Sequence, residues 1–532
     1  MTALTLACAM PLHGPVDRAH ATWVGLVEAS ALSPAPDRIV LEAGEEFDRA
    51  RLLVRDHGAV RGYVSLPISD GHLDPAALAA AVAEVPLPAP AAPAAPQPIT
   101  VVVCTRDRGA LLRECLNAIA GVDYPAREVI VVDNAPSTDD TLALVTAEFD
   151  DFRYVREDAP GLSHARNAGL RAASSHIVAF TDDDVIVDSQ WLWAIAAGFV
   201  RADDVGCVTG VVPSGELRNG VQAWFDSRVS WSKLTTGRVY RMSEPPADLP
   251  MFPFCVGEFG TGANFAVRRD HMLSLGGFDT ALGAGTRTKG GEDLDMFVRI
   301  LYDGRSIAVA PDAVVWHRHR DDLAALESQA IGYGRGFGAW ATTVALDPRM
   351  LGAALVRAPG AVHRLLNKRM SNVDGDPSPV ADEAAGVGRL ELGSITGGPA
   401  AYFAERRAQR AAGTLDGPRS RGSVLERRTW SLLAAIGGLA GLLALLPLPA
   451  GLSLVFLAAF VLIGPGALLR AWVPLPAGFA PIVVPAVGLS TAILLTTALV
   501  NLEWWAPSLS LLAIAAATCL GAATSFGLRR RA

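Results

Sequence analysis

From residue 99 onward, short apolar runs alternate with stretches of helical period. Residues 99–104 (Ile-Thr-Val-Val-Val-Cys) are β-branched, apolar and of strand length. Residues 106–120 read as a loop and helix, 128–133 as a second strand, and a helix follows from Thr138. A third strand is expected at 152–155, a helix at 163–173 and a fourth strand at 176–180. Two more strands are expected at 307–310 and 314–316. Strand–helix alternation of this kind predicts an α/β domain with a doubly wound, mostly parallel sheet. Such sheets bind ligands at the carboxyl ends of their strands, so polar residues placed just after strands are the candidates for chemistry.

Upstream, residues 1–85 have the pattern of a small α+β domain. Two β-rich runs flank Asp56-His57-Gly58 within 50–67 and predict a hairpin. Asp74-Pro75 supplies an N-cap and a first-turn proline for a helix over 75–84. Residues 86–98 hold six prolines and read as a stiff linker. No chemistry is legible before it; the small domain is expected either to pack on the next domain or to bind a partner.

Residues 429–528 carry two charged side chains, Arg470 and Glu503. Proline- and asparagine-containing breaks divide this region into apolar runs at about 430–446, 452–470, 482–500 and 508–526. Each is near the ~20 residues that a membrane-spanning helix needs. With four spans, Arg427, Arg428, Arg470 and Arg529 to Arg531 all fall on one side, and that side is cytoplasmic by the positive-inside rule. Met1-Thr2-Ala3-Leu4 has no basic leader, which agrees with a cytoplasmic front portion. The expected division is thus a small domain (1–85), linker (86–98), catalytic domain (99–345), juxtamembrane region (346–428) and four-helix transmembrane region (429–532). In the juxtamembrane region a short helix over 399–411 would carry Arg406, Arg407 and Arg410 toward anionic lipid headgroups.

Composition bounds the remaining classes. The chain of 532 residues is 51% hydrophobic and 19% charged, which excludes disorder as its main state. Six cysteines without CxxC spacing suggest neither a disulfide framework nor a zinc site. A net charge of −8 gives no reason to expect nucleic acid as a partner.

Polar clusters follow the predicted strands in order: Thr105-Arg106-Asp107-Arg108, Asp133-Asn134, Thr181-Asp182-Asp183-Asp184 and His317-Arg318-His319. Gly290-Gly291-Glu292-Asp293-Leu294-Asp295 opens a helix between the last two. Three adjacent carboxylates repel one another unless a cation or solvent relieves them. Hard oxygen ligands of this type suit Mg²⁺ or Mn²⁺ together with substrate phosphates.

Strand-Thr-Arg, Val-Val-Asp-Asn, Ser163-His164-Ala165-Arg166-Asn167-Ala168-Gly169, Thr-Asp-Asp-Asp, Gly-Gly-Glu-Asp and Trp-His-Arg-His stand in the order seen in family 2 inverting glycosyltransferases of the GT-A fold, which residues 97–340 resemble. The resemblance implies a nucleoside-diphosphate sugar donor, bound by Thr105, Arg106, Asp133, Arg166, Asp182 and Asp183. It implies Asp184, supported by Asp182 and His317, as metal ligands, with His319 the alternate. Asp293 matches the general base and Glu292 its neighbour; Gly262 and Asn264 match the acceptor-side wall. An inverting transfer is one displacement, so a carboxylate must take the acceptor hydroxyl proton opposite the leaving diphosphate.

Processive members carry Gln-x-x-Arg-Trp after this region, whereas Gln329-Ala330-Ile331-Gly332 here lacks the Arg-Trp. That argues for adding one or few sugars. Gly332, Gly334, Gly336 and Gly338 superficially match a dinucleotide fingerprint but follow no predicted strand, so they read as a flexible, close-packed segment near the acceptor. The membrane spans point to a glycan or lipid-linked acceptor of the cell envelope, with membrane lipids as partners. The alternatives are a catalytically silent membrane scaffold and a nucleotidyltransferase. The latter usually opens with a Gly-rich, Lys-containing loop, which Thr105 to Arg108 is not.

Overall fold

The computed structural model describes residues 3–88, 95–347, 349–354, 356–357, 380–418, 424–473, 480–501 and 506–527. The chain divides into two compact units. One comprises 1–342 with 357–418, the other 343–356 with 419–532.

The first unit opens with β1 (Ala3–Leu6), β2 (Trp23–Glu28), β3 (Arg38–Leu41), β4 (Arg49–Asp56), β5 (Ala59–Pro67), β6 (His72–Leu73) and α1 (Pro75–Glu84). These form two three-stranded sheets, β1-β3-β6 and β2-β4-β5, around Trp23, Ile39, Leu52 and Leu78. The hairpin β4–β5 turns at His57 and Gly58, both left-handed at φ +50° and +84°. Asp74 caps α1, accepting from the backbone of Ala76 and Ala77 at 2.8 and 3.2 Å. Of the proline-rich linker, residues 89–94 lie outside the described residues.

Next come β7 (Ile99–Thr105), α2 (Gly109–Ala120), β8 (Arg127–Asn134), α3 (Asp140–Glu148), β9 (Arg153–Glu157), α4 (Leu162–Ala172), β10 (Ile177–Thr181), β11 (Val185–Val187) and α5 (Trp191–Phe199). Then follow β12 (Val205–Val211), α6 (Gly220–Arg228), β13 (Arg238–Tyr240), β14 (Asn264–Arg268), α7 (Arg269–Ser274), α8 (Glu292–Tyr302), β15 (Ser306–His317) and α9 (Leu323–Leu346). The unit closes with α10 (Val380–Ser394) and α11 (Gly398–Ala412). The sheet runs β11-β15-β12-β14-β10-β7-β8-β9, with β13 on β15.

This sheet is mixed, which corrects the expectation of a mostly parallel one. β10, β7, β8 and β9 are mutually parallel, as are β12 and β15. β14, however, is antiparallel to both β10 and β12, and β11 and β13 are antiparallel to β15. Between 211 and 264 the sequence lacks the strand–helix alternation that would have signalled β14 and its direction. The runs 307–310 and 314–316 are also one strand, β15, with a register irregularity against β12.

The small domain is not merely tethered. Met10, Val24, Leu53 and Val60 share an apolar cluster with Val211, Leu217, Val314 and Trp316 on β12 and β15 and in the loop after β12. Arg51 pairs with Asp226 at 2.7 Å and Arg55 with Asp188 at 2.7 Å. The Val60 amide donates to Asp312 at 2.6 Å.

The glycine series lies inside helix α9. A Cβ on Gly336 would sit 2.7 Å from the Gly290 carbonyl carbon, and one on Gly334 1.9 Å from the Glu391 oxygen. The helix is thereby pressed on one side against the loop preceding α8 and on the other against α10.

In the second unit are α12 (Val424–Leu443), α13 (Ala450–Trp472), α14 (Ala480–Asn501) and α15 (Pro507–Gly527). Two stretches, Ala450–Trp472 and Pro507–Thr524, are long and apolar enough to cross a membrane. The other two helices contribute shorter apolar stretches among the described residues, Thr429–Leu443 and Val483–Leu494, so the expected count of four spans is not reached. Pro465 lies inside α13 and Pro485 inside α14, and both helices run on through their prolines. Glycine contacts bring the helices close; a Cβ on Gly437 would meet the Gly464 Cα at 2.5 Å. Glu503 and Arg529 to Arg531, on which the orientation rests in part, lie outside the described residues.

Gly336→Val should force apart α9 and the Gly290 loop and destabilise by about 1–3 kcal/mol, the usual range for overpacking. Gly393→Ala, where a Cβ meets nothing within 4 Å, should leave stability unchanged or raise it. Thermal unfolding of the two variants separates them, and equal melting temperatures would remove the close-packing role from Gly336.

Candidate active site

The carboxyl ends of β7, β8 and β10 are aligned: Thr181 stands opposite Val103, and Thr105 opposite Asp133. The Asp triplet forms the turn between β10 and β11. β11 then pairs with β15 so that Val185 lies opposite His317, which brings His317 beside Asp184. Asp182, Asp184 and His317 each offer one ligand atom, all within 4.8 Å of one another.

The three aspartates point to different partners. Asp183 is buried and turned inward, accepting from the Thr105 hydroxyl at 2.7 Å and from Arg108 at 2.5 Å. Burial and the neighbouring Asp184 push its carboxyl up to about 6, against the pull of Arg108. Asp184 lies 3.1 Å from Arg108 and 3.3 Å from His317 Nε2. Burial alone would raise its carboxyl, but His317 and Arg108 outweigh that and hold it well below the ordinary range. Asp182 keeps a third of its side chain exposed. Burial also disfavours a charged His317, yet Asp184 overcomes this and raises its imidazole. His319 is driven down to about 3 by burial and by His317, and so is neutral. It faces Ser214, not the carboxylates, which favours His317 over His319 as the ligand.

Arg166 is 3% exposed, on an α4 pressed so tightly to the sheet that a Cβ on Gly169 would meet Val102 at 2.4 Å. Its guanidinium donates to Glu292 at 3.0 Å and to the Gly262 carbonyl at 2.9 Å, and lies 3.5 Å from Asp182. Phe265 and Phe278 flank it at 5.5 and 5.7 Å. Arg166 thus bridges the metal-side and α8-side carboxylates.

Helix α8 starts at Gly291, left-handed at φ +92°, where a Cβ would meet the Gly336 oxygen at 2.6 Å. Glu292 is buried, and its Oε2 has no hydrogen-bond partner among the described residues. Burial and the adjacent Asp293 push it up to about 7, against the pull of Arg166. Asp293 is half-buried, and its Oδ2 accepts from the Gly262 amide at 2.9 Å. Asp295 pairs with Arg299 one turn on, at 2.6 Å.

The remaining expected residues divide. Arg106 is exposed. Asp133 is fully buried and accepts from the Tyr154 hydroxyl at 2.9 Å, with burial raising its carboxyl. Gly262 joins Arg166 and Asp293 through its carbonyl and amide. Asn264 is corrected from acceptor wall to sheet interior: it accepts from Trp191 at 2.9 Å and donates to Val211 and Ala313 at 3.1 and 2.7 Å. Arg108, which grips two of the three aspartates, escaped the sequence reading, because nothing distinguishes it there from Arg106.

The residues present fit a divalent cation. Arg108 and Arg166 each reach one of the pair, Asp184 at 3.1 Å and Asp182 at 3.5 Å, yet Asp182, Asp184 and His317 still each offer one ligand atom within 4.8 Å of the others, a hard-oxygen and nitrogen donor set.

This arrangement of mixed sheet, aspartate turn and Glu-Asp helix start defines a glycosyltransferase, and the chain belongs to family 2 of that class. The sequence model described as "glycosyltransferase like family 2" matches residues 96–332. A succinoglycan biosynthesis protein of Rhizobium meliloti is 30% identical over 252 residues, 45% of this chain and 74% of that protein. A pre-mycofactocin glycosyltransferase of Mycobacterium tuberculosis is 26% identical over 244 residues, 44% of this chain and 46% of the relative, so the chain spans about half that relative's length. A glucosyl-dolichyl phosphate glucuronosyltransferase of Haloferax volcanii is 26% identical over 192 residues, 35% of this chain and 57% of that protein.

A carboxyl raised by folding stabilises the fold while protonated. The Glu292 contribution is therefore present in full below its ordinary value of 4.5 and is lost as pH rises through about 7. Urea unfolding between pH 5 and 8 should show wild type losing stability relative to Glu292→Gln as pH rises. Parallel profiles would mean that Glu292 is ionised throughout.

Proposed function

We propose that this family 2 domain is an inverting, non-processive glycosyltransferase. It moves a sugar from a nucleoside-diphosphate sugar to a hydroxyl of a glycan or lipid-linked acceptor. The observation that carries this reading is the contrast across Arg166: the Asp182, Asp184 and His317 cluster on one side, and the half-exposed Asp293, held by the Gly262 amide, on the other.

Bound Mg²⁺ or Mn²⁺ would supply charge neutralisation for the donor diphosphate, held by Asp184, Asp182 and His317. Asp293 takes the acceptor hydroxyl proton as the oxygen attacks the anomeric carbon. Glu292, buried and paired with Arg166, cannot reach an acceptor and serves to fix the helix start beside the base. Backbone amides orient both oxygens of Asp293, Gly262 donating to Oδ2 at 2.9 Å and Leu294 to Oδ1 at 2.8 Å. Arg106, exposed just past β7 and 3.8 Å from Asp107, is the cation for the nucleoside-phosphate end, while Thr105, Asp133 and Asp183 shape the wall beneath it.

The apolar stretches Ala450–Trp472 and Pro507–Thr524 support a membrane location. The arginine distribution supports a multi-pass anchor with the catalytic domain and C-terminus cytoplasmic. A lipid-linked acceptor of the cell envelope agrees with that location and with the similarity to an enzyme named for a dolichyl phosphate substrate.

The test is a donor panel of UDP-, GDP- and dTDP-sugars on the full chain in membranes, with Mg²⁺ or Mn²⁺. Asp293→Asn should lower transfer by ~10²–10⁴-fold, the usual contribution of a positioned base, with donor affinity preserved. Transfer by Asp293→Asn at the wild-type rate would remove the base assignment. Failure of every donor to bind with metal would remove the transferase reading. Asp184→Asn should abolish metal-dependent donor binding, measured by calorimetry.

A further inference from the structure

Behind His317 runs a line of polar contacts that the transfer chemistry does not use. His317 Nδ1 lies 3.3 Å from His319 Nδ1, and His319 Nε2 lies 2.7 Å from the Ser214 hydroxyl. Ser214 in turn makes a short hydrogen bond to Asp226 Oδ1, on helix α6. Arg51 of the small domain closes the line, donating to both Asp226 oxygens at 2.7 and 3.0 Å. Ser214 is fully buried, and Asp226 and His319 are 7% and 5% exposed. The Phe225 ring packs against His319 at 4.7 Å between centroids.

Donor and acceptor capacities give this line a direction. A carboxylate only accepts, so with Arg51 holding Asp226 ionised the Ser214 O–H must donate to it. The Ser214 oxygen then accepts, which requires the hydrogen of His319 on Nε2. His319 Nδ1 is left with its lone pair and accepts from His317 Nδ1–H. The remaining ring nitrogen of His317, Nε2, is the atom 3.3 Å from Asp184 Oδ1.

We propose that Arg51, Asp226, Ser214 and His319 form a directed hydrogen-bond chain that fixes the ring and tautomer of His317, so that Nε2 presents its lone pair to a divalent cation beside Asp184. This rests on the metal-site reading above. The four are positioning residues. The small domain then serves the site directly, through β4, although it carries no reacting group. A second contact steadies the same segment: Arg318 donates to the Pro11 carbonyl at 3.0 Å and pairs with Glu114 and Glu216 at 3.1 and 2.9 Å.

The experiment is a Mn²⁺ titration of the full chain in detergent by electron paramagnetic resonance, with pulsed detection of the ¹⁴N coupling from a bound imidazole. Ser214→Ala breaks the chain without leaving an unpaired charge, and Asp226→Asn replaces the obligatory acceptor with an isostere that also donates. Each should weaken Mn²⁺ binding by ~10–100-fold, as loss of such outer partners typically does. The ¹⁴N coupling should be reduced or lost, and circular dichroism should be unchanged. Arg51→Lys, which retains charge but not the two-pronged contact, should fall between wild type and these variants. Folded variants that bind Mn²⁺ within twofold of wild type with intact ¹⁴N coupling overturn the chain. If both variants fail to fold, Arg51→Lys decides alone, and wild-type affinity and coupling in it overturn the chain. Wild-type protein that binds no Mn²⁺ overturns the metal site, and this inference with it.

Discussion

The buried Arg166 guanidinium is the interaction on which the site depends. A cation with 3% exposure persists only where its charge and donors are met, and here Glu292, Asp182 and the Gly262 carbonyl meet them. Three segments far apart in sequence are thereby fixed to one another: the aspartate turn, the Thr261–Asn264 turn and the start of α8. Removing one partner of such a group is typically costly by about 3–5 kcal/mol, because it strands a buried charge. The same cation explains why Glu292 and Asp293, adjacent in sequence, differ in character. One is committed to Arg166, and the other is half-buried and held by the backbone amides of Gly262 and Leu294.

Much of this was legible in the sequence where the signal is local. The strands at β7, β8, β9 and β10 follow from β-branched apolar runs, and α1 from Asp74-Pro75. The aspartate turn, the Glu-Asp helix start and His317 could be singled out because each follows a strand or opens a helix. What escaped depends on pairing across the fold. β14 enters the sheet antiparallel because of what lies beside it, and its own five residues do not specify that direction. Asn264 reads as a polar turn residue until β10 and β12 enclose it. Arg108 and Arg106 are indistinguishable until one swings toward Asp183. The partnership of Arg51 with Asp226 spans 175 residues and has no local trace.

The apolar C-terminal region shows the limit of composition. Residues 429–528 hold two charged side chains, yet two of the four helices are long and apolar enough to cross a membrane. Apolar composition belongs to the whole region, whereas the length of one unbroken apolar helix is a separate quantity, met among the described residues by Ala450–Trp472 and Pro507–Thr524.

The docking of the small domain also constrains how the chain is made. Its apolar face (Met10, Val24, Leu53 and Val60) is complete early in synthesis, but its partners Val314 and Trp316 emerge some 250 residues later, as the 252-residue separation of Val60 and Asp312 records. At roughly 5–20 residues per second, that interval lasts about 10–50 s on the ribosome. Throughout it an apolar surface waits uncovered beside a nascent chain that has yet to build its own sheet. The small domain therefore exposes this face until strands some 250 residues downstream have been made.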